Sequence, residues 1–190
     1  KYGVKVDTSV TEMPDNRVKI AISIVEGKRS KIRQVNIVGN EAFDDDELRE
    51  GLKLRTPNWL SWYRQDDRYS REELSGDLEK LKSFYLDRGY ANFEVDSTQV
   101  AIAPDREDIF ITMNVIEGEV YRISDVKIAG NLVVPEEELR GLVQVRRGDI
   151  YSQRMLTSTT EFMKLRLGLD GYAFAKIDPV PQENPETREI

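Results

Sequence analysis

Cysteine and histidine are both absent from this sequence of 190 residues. Their absence excludes zinc sites of the usual Cys/His type, cysteine nucleophiles and every catalytic triad in which an imidazole is the base. No stretch approaches the roughly 18 consecutive apolar residues that a membrane-spanning helix needs. The chemistry that remains is that of carboxylates, hydroxyls, amines and the backbone itself.

Basic residues are also too few to outweigh the acidic ones. The sequence has 28 lysines and arginines against 35 aspartates and glutamates, which gives a formal net charge of -7. Phosphate recognition needs a basic patch, and no run of lysine and arginine supplies one. DNA, RNA and anionic membrane faces are therefore poor partners for this chain.

What the sequence does contain is an internal repeat. Gly89 and Gly171 each end an apolar-periodic run before a Tyr-Ala pair, and they are 82 residues apart (171 minus 89). Gly39 and Gly130, each followed by asparagine, are 91 residues apart (130 minus 39). The first copy therefore carries 9 more residues (91 minus 82), which form an insertion at about residues 56–65.

The insertion holds both tryptophans of the chain, Trp59 and Trp62. Large aromatic residues in a loop without a copy in the other repeat either fold back as a lid or anchor a partner, since tryptophan and tyrosine are enriched at interface hot spots. Exposed apolar patches of that size are uncommon in soluble domains, which favours the lid. Trp59 and Trp62 are kept as possible partner anchors.

Hydrophobic periodicity predicts the secondary structure of each repeat. The order is strand, helix, helix, strand, strand, which gives a three-stranded mixed sheet covered on one face by two helices, an α+β layer. Strands are predicted at residues 32–38, 90–102 and 109–116, at 123–129 and 172–180 in the second repeat, and in an N-terminal hairpin at residues 4–26 that turns at 13–16.

Two acidic runs, at residues 44–47 and 136–138, precede apolar residues with helical spacing. Carboxylates in a first turn accept hydrogen bonds from free backbone N–H groups and favour the positive end of the helix dipole. A metal site would need ligands that converge on one point, and these runs lack such spacing. Both runs are interpreted as helix starts, and a further helix is predicted from Ser70 to Arg88.

The repeat spacing also predicts the domain organisation. Residues 1–27 are the C-terminal hairpin of a preceding repeat, residues 28–118 are a complete repeat, and residues 119–190 are a repeat that lacks its last strand. Within the complete repeat, the alternation slips by one residue between Val95 and Val100. An extra residue shifts the pleat by one side chain, so a β-bulge is predicted within residues 96–99.

Three signatures of the first repeat carry a family resemblance. It reads Ile-x-x-Val-x-Ile-x-Gly-Asn from Ile32, Tyr-Leu-Asp-Arg-Gly-Tyr-Ala from Tyr85 and Val-x-Glu-Gly from Val115. This pattern resembles the POTRA domains of the outer-membrane proteins that fold and insert β-barrel proteins in Gram-negative bacteria. On this resemblance residues 1–27 end the second domain, 28–118 are the third, and 119–190 are most of the fourth.

The resemblance implies a non-enzymatic periplasmic scaffold without a cofactor, a metal or catalytic residues. Its implied partners are accessory outer-membrane lipoproteins and unfolded outer-membrane β-barrel proteins, with membrane contact only through a C-terminal barrel that this sequence does not contain. Binding is expected by strand addition to an exposed sheet edge. The expected edge residues are Glu94, Val95, Asp96, Ser97, Thr98, Gln99 and Val100. Of these, Glu94, Asp96 and Thr98 are predicted to face outward. The hairpin partner, residues 109–116, is richer in β-branched residues on its inward face and is predicted to be the central strand.

Two alternatives stay open at the level of sequence. One is the POTRA region of a related transporter, which serves secretion of one substrate or import into organelles. The other, more remote, is a hydrolase that uses an acid and a nucleophilic carboxylate. The acidic residues are already explained by helix starts and surface solvation, so two convergent, desolvated carboxylates in a cleft would be needed to support it.

Overall fold

The computed structural model describes residues 5–14, 17–25, 31–54, 70–104 and 107–190. These residues form five strands and four helices. The strands are β1 (Lys5–Met13), β2 (Arg17–Val25), β3 (Lys31–Val38), β4 (Glu94–Ile102) and β5 (Asp108–Ile116). The helices are α1 (Asp45–Glu50), α2 (Arg71–Leu86), α3 (Glu136–Arg140) and α4 (Gln153–Leu169).

The chain divides into two compact units, each built from several segments. The first unit comprises Lys1–Val38, Asp45–Asp77 and Asp96–Asn114. The second unit comprises Gly39–Asp44, Leu78–Val95 and Val115–Ile190.

Strands β1 and β2 form the predicted N-terminal hairpin in the first unit. They pair antiparallel from Lys5 opposite Val25 to Met13 opposite Arg17. Alternation places the side chains of Val18, Ile20, Ile22 and Ile24 on one face. All four are about 60% exposed, so this apolar face is uncovered by the described residues.

Strands β3, β5 and β4 form the predicted three-stranded mixed sheet, in that order. The central strand β5 pairs in parallel with β3, from Lys31 opposite Asp108 to Val38 opposite Asn114. The inward residues of β5 are at most 6% exposed because they form the floor of the core: Ile109, Ile111, Met113 and Val115. The pairing shifts register between Ile32 and Gln34, an irregularity that the sequence pattern did not predict.

The helices begin where the acidic runs predict. Asp45, Asp46 and Glu47 lie in the first turn of α1, and Glu136 to Glu138 lie in the first turn of α3. Ser70 accepts a hydrogen bond from the backbone N–H of Glu73 at 3.3 Å, as a helix N-cap does. Both acidic runs thus serve as helix starts, and α2 runs two residues shorter at its C-terminal end than predicted.

A buried polar side chain on the long helix of each repeat holds the turn that follows the short helix. In the first unit Asp77 is 1% exposed, and its carboxylate accepts hydrogen bonds from the backbone N–H groups of Lys53 and Leu54 at 2.7–2.8 Å. In the second unit the hydroxyl of Thr159 accepts from the N–H of Gln144 at 3.0 Å. Thr159 is 82 residues after Asp77, and Gln144 is 91 after Lys53, so the two devices are equivalent.

The Gly-Asn and Glu-Gly signatures of the first repeat meet in the second unit. The carboxylate of Glu117 accepts the backbone N–H of Ala42 at 3.1 Å and the hydroxyl proton of Tyr85 at 2.7 Å. Gly39 has a φ of +96°, and a methyl group there would overlap the carbonyl oxygen of Val115. The Gly-Asn and Glu-Gly signatures therefore hold a loop against the end of the central strand.

The end of α2 packs against the start of the second repeat, also within the second unit. Leu86 belongs to a buried apolar cluster with Tyr121, Ile123, Val145 and Tyr151. Gly89 has a φ of +100°, and a side chain there would come within 2.8 Å of Val120 and Ile150. Only glycine fits that joint.

One aspartate adds a polar contact to this joint. Asp87 accepts the backbone N–H of Arg154 at 2.8 Å and also binds the Arg154 guanidinium, with Nε at 3.0 Å. Arg154 lies in the first turn of α4, so the carboxylate satisfies an N–H group that has no partner inside its own helix. The charge also favours the positive end of the helix dipole.

The strands predicted at residues 123–129 and 172–180 do not form. Within residues 107–190, all of which the structure describes, strand pairing after β5 is limited to isolated bridges. In the first repeat both outer strands pair with the central β5, whereas residues 123–129 and 172–180 have no ladder partner among the described residues. Outer strands without a central strand have no ladder in which to place their N–H and C=O groups.

The last residues nevertheless pair as the start of a central strand would. Arg122 and Glu189 form a parallel bridge, the N–H of Ile190 donates to the carbonyl of Arg122 at 2.8 Å, and Ser124 donates to Ile190 at 2.7 Å. Lys31 and Asp108 make a similar parallel contact in the first repeat, although the repeat offsets would pair Arg122 with Ile190, one residue later. Residues 189–190 therefore run beside Arg122 in the same direction as β5 runs beside β3.

Candidate functional site

The candidate site is the outer edge of β4, the strand expected to take part in strand addition. β5 lies between β3 and β4, so β4 is an outer strand of the sheet. The predicted roles of β5 as the central strand and β4 as an edge are both confirmed. The backbone N–H of Ala103 donates to the carbonyl of Asp108 at 2.9 Å and ties the two strands together where the hairpin turns.

Side-chain exposure alternates along β4 and then changes phase. Glu94, Asp96 and Gln99 are exposed, whereas Val95, Ser97, Thr98 and Val100 are half-buried. Two adjacent half-buried residues, Ser97 and Thr98, are what a bulge at the predicted place would produce. The Asn114 side chain on β5 donates to the Ser97 hydroxyl at 2.9 Å across the pair.

One detail of the prediction for this edge is wrong. Thr98 was predicted to point outward with Glu94 and Asp96, but it is half-buried and Gln99 is exposed instead. The reason is the phase change, which reverses the facing of every residue after Ser97. Glu94, Asp96 and Gln99 are therefore the polar residues along the exposed side of the edge.

Charge protects this edge from pairing indiscriminately. Glu94 and Asp96 place two exposed carboxylates within three residues of the strand. Charged side chains and bulges are the usual means by which open edges avoid aggregation while their backbone groups stay accessible. The edge can accept an extended segment through its N–H and C=O groups, which is a binding chemistry that needs no titratable group.

The predicted anchors Trp59 and Trp62 lie outside the described residues. Among the residues that the structure does describe, no group of three or more acidic residues converges on a position for a metal ion. The pKa of Tyr151 is raised, first by burial and then by the charges of Glu183 and Asp87. This tyrosine belongs to the apolar cluster at the joint, so its pKa reflects packing.

Hydropathy of the helices adds a further fact. In the part of the chain that the structure describes, no helix is both long enough and apolar enough to cross a bilayer.

Family and sequence comparisons place the chain among known proteins. The POTRA family model, described as surface antigen variable number repeat, matches residues 30–118 and 121–190. The outer membrane protein assembly factor BamA of Neisseria meningitidis serogroup B is 29% identical over 191 residues, which cover 100% of this chain and 24% of that protein. BamA of Buchnera aphidicola is 31% identical over 178 residues, 93% of this chain and 28% of that protein.

The chain thus spans about a quarter of the length of these curated relatives. Solved structures agree on the fold. The crystal structure of Haemophilus influenzae BamA POTRA3-5 matches 98% of this chain and 69% of its own, with a TM-score of 0.60 and 21% identity. Haemophilus ducreyi BamA lacking POTRA domains 1-3 matches 84% of this chain and 27% of its own, with a TM-score of 0.62 and 22% identity.

Proposed function

The chain belongs to the POTRA family, and from that premise we propose that it is the periplasmic POTRA region of an outer-membrane β-barrel assembly protein. In this role it is a scaffold that docks accessory lipoproteins and receives unfolded outer-membrane proteins. The similarity to BamA along the whole chain supports the assignment to outer-membrane protein assembly. We also propose the domain boundaries predicted above, at residues 27/28 and 118/119.

The single observation that carries the binding mechanism is the position of β4. It is an outer strand, β5 pairs with it on one side, and its exposed side chains are polar or charged. An incoming extended segment would pair with the backbone of residues 94–100 and continue the sheet. A bulge at the phase change near Ser97 would limit how far such pairing runs, since it would interrupt the ladder.

The proposal is tested by removing single N–H groups from the edge. In a strand, adjacent residues direct their N–H groups to opposite sides, so Thr98→Pro and Gln99→Pro remove one group that faces β5 and one that faces outward. We expect the variant that loses the inward group to be destabilised. The other should stay folded and lose at least tenfold in affinity for a partner lipoprotein.

Side-chain variants supply the matched control. Gln99→Ala and Glu94→Gln keep every N–H group, so strand addition should proceed with affinity close to that of the unchanged protein. Crosslinking of an unfolded β-barrel substrate to positions 94–100 gives an independent measurement. Full binding by both proline variants in folded form, together with no crosslinks along this segment, would contradict the proposal.

A further inference from the structure

The sheet of the first repeat has a second outer strand, β3, and one arginine binds its backbone. The Nε of Arg49, in α1, donates to the carbonyl oxygen of Val35 at 3.0 Å. Asp45, one turn earlier in the same helix, pairs with the Arg49 guanidinium and holds it in place. The arginine therefore reaches from the helix layer to the backbone of the sheet.

The carbonyl that Arg49 binds faces the outer edge of β3. The carbonyl of Asp108 accepts the N–H of Ala103 on the β4 side of the central strand. Backbone groups of successive residues in a strand point to opposite sides, so Ile111, an odd number of residues later, directs its groups toward β3. In a parallel pair the residue opposite, here Val35, directs its own N–H and C=O groups away from the partner strand.

Only a short part of the β3 edge is regular enough to accept a strand. The register shift in β3 interrupts the ladder before Gln34, which leaves residues 34–38 in regular pairing with β5. By alternation, Val35 and Ile37 are the residues of that part that face outward. Arg49 occupies the carbonyl of one of them, where an incoming strand would have to donate an N–H group. A single remaining residue is too little for a ladder.

The edge of β4 is not covered in this way. Within the described part of the chain, the side-chain hydrogen bond on β4 joins the Ser97 hydroxyl to Asn114 of the neighbouring β5. No side chain among those described residues binds a backbone group of β4. The two edges of one sheet thus differ in access, since β3 has an arginine on its backbone and β4 does not.

The second repeat contains the same arrangement. Arg140 of α3 donates to the carbonyl of Val126 at 3.4 Å and pairs with Glu136, one turn earlier. These residues follow their counterparts in the first repeat by one interval of 91 (140 minus 49, 126 minus 35, 136 minus 45). The acid changes from aspartate to glutamate, but both copies have the arginine and the carbonyl that it binds.

We propose that Arg49 closes the β3 edge, so that an incoming strand adds to β4 alone. Arg49 is then a specificity-determining residue, because it decides which edge of the sheet is open without contacting the added strand. Its guanidinium competes well for the Val35 carbonyl, since hydrogen bonds from a charged donor are about twice as strong as neutral ones. This inference rests on the proposed function, because it concerns which edge performs strand addition.

Photocrosslinking and hydrogen exchange test the inference on the chain itself. The probe is a short peptide of alternating valine and threonine with a photoreactive group, since a neutral probe does not distinguish the edges by charge. With the unchanged chain we expect crosslinks to β4 and only background at β3. In Arg49→Ala, crosslinks to residues 34–38 should rise about tenfold, as expected when one charged competitor for a carbonyl is removed. Peptide binding should also slow exchange of the Val35 and Ile37 amides in this variant and not in the unchanged chain.

Two further variants make the test specific. Arg33→Ala removes the same charge from β3 itself but leaves the bond between Arg49 and Val35, so crosslinks should stay on β4. Asp45→Ala keeps the arginine but frees its guanidinium, so β3 should open in part. The Arg49 side chain is 37% exposed, so its truncation should leave the chain folded, which circular dichroism checks.

The possible failures separate this inference from the proposed function. Peptide that binds β4 but leaves β3 unprotected in folded Arg49→Ala and Asp45→Ala would overturn the role of Arg49 while strand addition at β4 stands. Equal crosslinking of β3 and β4 in the unchanged chain would overturn it too, as would equal opening of β3 by Arg33→Ala. Peptide that never reaches β4 but binds β3 in Arg49→Ala would contradict the proposed function and support closure of β3 by Arg49.

Discussion

The first and second repeats share their helices, turns and glycines, but only the first has its sheet. In the first, β5 gives both β3 and β4 a partner, and its inward side chains are buried. In the second, residues 123–129 and 172–180 have the same alternation yet form no ladder. Helices α3 and α4 form all the same, because a helix satisfies its backbone within one segment whereas a strand depends on a neighbour.

The turn after the short helix is held by a buried polar side chain in both repeats, whether or not the sheet forms. Asp77 holds the N–H groups after α1, and Thr159 holds the equivalent turn after α3 although the sheet beside it is incomplete. The two repeats use a carboxylate and a hydroxyl for the same task. The packing of each long helix against the turn is therefore independent of the sheet. Substitutions at equivalent positions of the two repeats test this.

The largest expected difference between the repeats concerns Gly39 and Gly130. Both have positive φ, but a methyl group at Gly39 would overlap the carbonyl of Val115, whereas at Gly130 it meets nothing within 4 Å. Gly130→Ala should cost about 1–2 kcal/mol for the left-handed backbone. Gly39→Ala should cost about 4 kcal/mol, because overpacking against the central strand adds to that strain.

Hydrogen exchange of individual amides is the suitable measurement, since a chain with two units need not unfold in one step. Protection of β3 and β5 should fall in Gly39→Ala, and Gly130→Ala should leave it unchanged. Equal losses in the two variants would mean that the end of β5 does not constrain Gly39.

The second prediction compares Asp77→Ala with Thr159→Val. The first removes the acceptor of one buried and one partly buried N–H group and should cost about 3 kcal/mol, since each unsatisfied donor costs about 1–3 kcal/mol. The second removes one acceptor and should cost about 1 kcal/mol. Exchange of the Lys53, Leu54 and Gln144 amides measures both effects. Asp77→Thr should recover part of the loss, and failure to do so would show that the charge itself is required.

The third prediction concerns the joint at the end of each long helix. Asp87 binds the first turn of α4, but its counterpart Leu169 is 78% exposed. Asp87→Ala should cost about 1 kcal/mol, as loss of a helix cap does. Leu169→Ala, at an exposed position, should change stability by less than about 0.5 kcal/mol. Denaturant unfolding followed by a spectroscopic signal from α4 measures both changes in the free energy of unfolding. Equal changes in the two variants would contradict the prediction.

The smallest expected effect is a pH dependence from Tyr151 in the second repeat. Its pKa is raised above the ordinary value of 10.0, chiefly by burial. A folded-state pKa above the unfolded one contributes stability that is complete below the unfolded pKa and is lost as pH rises through the folded pKa. The free energy of unfolding of the second repeat should therefore decrease above about pH 10, and Tyr151→Phe should make this decrease smaller. If Tyr151→Phe lost as much stability above about pH 10 as the unchanged protein, the loss would come from other titratable groups.

Most of the candidate site could be predicted from the sequence. The β-branched inward face of residues 109–116 predicted β5 as the central strand, the family resemblance implied that β4 is the edge, and the slip between Val95 and Val100 located the phase change. The facing of Thr98 was wrong, because alternation shows that a bulge is needed but not at which residue it falls. The register shift between Ile32 and Gln34 leaves no trace in the pattern of β3.

The roles of Asp77 and Thr159 were missed for a different reason. Both sit on apolar-periodic helices, where a polar residue predicts nothing about its partner. The repeat offsets could have revealed these roles, since they align Asp77 with Thr159 and the turn at Lys53 with the turn at Gln144. Asp87 gave no such signal, because its counterpart Leu169 is of another chemical type.

Local patterns in the sequence were sufficient to predict the repeat, the helix starts, the glycine positions and the order of strands and helices in the first repeat, because each depends on periodicity or on residues close in the chain. The tertiary structure decided which strands form, which polar groups are satisfied and why Gly39 and Gly89 must be glycine. These depend on segments far apart in the sequence that come into contact only in the fold. Strand pairing is the clearest case, since an alternating segment becomes a strand only where a partner lies beside it.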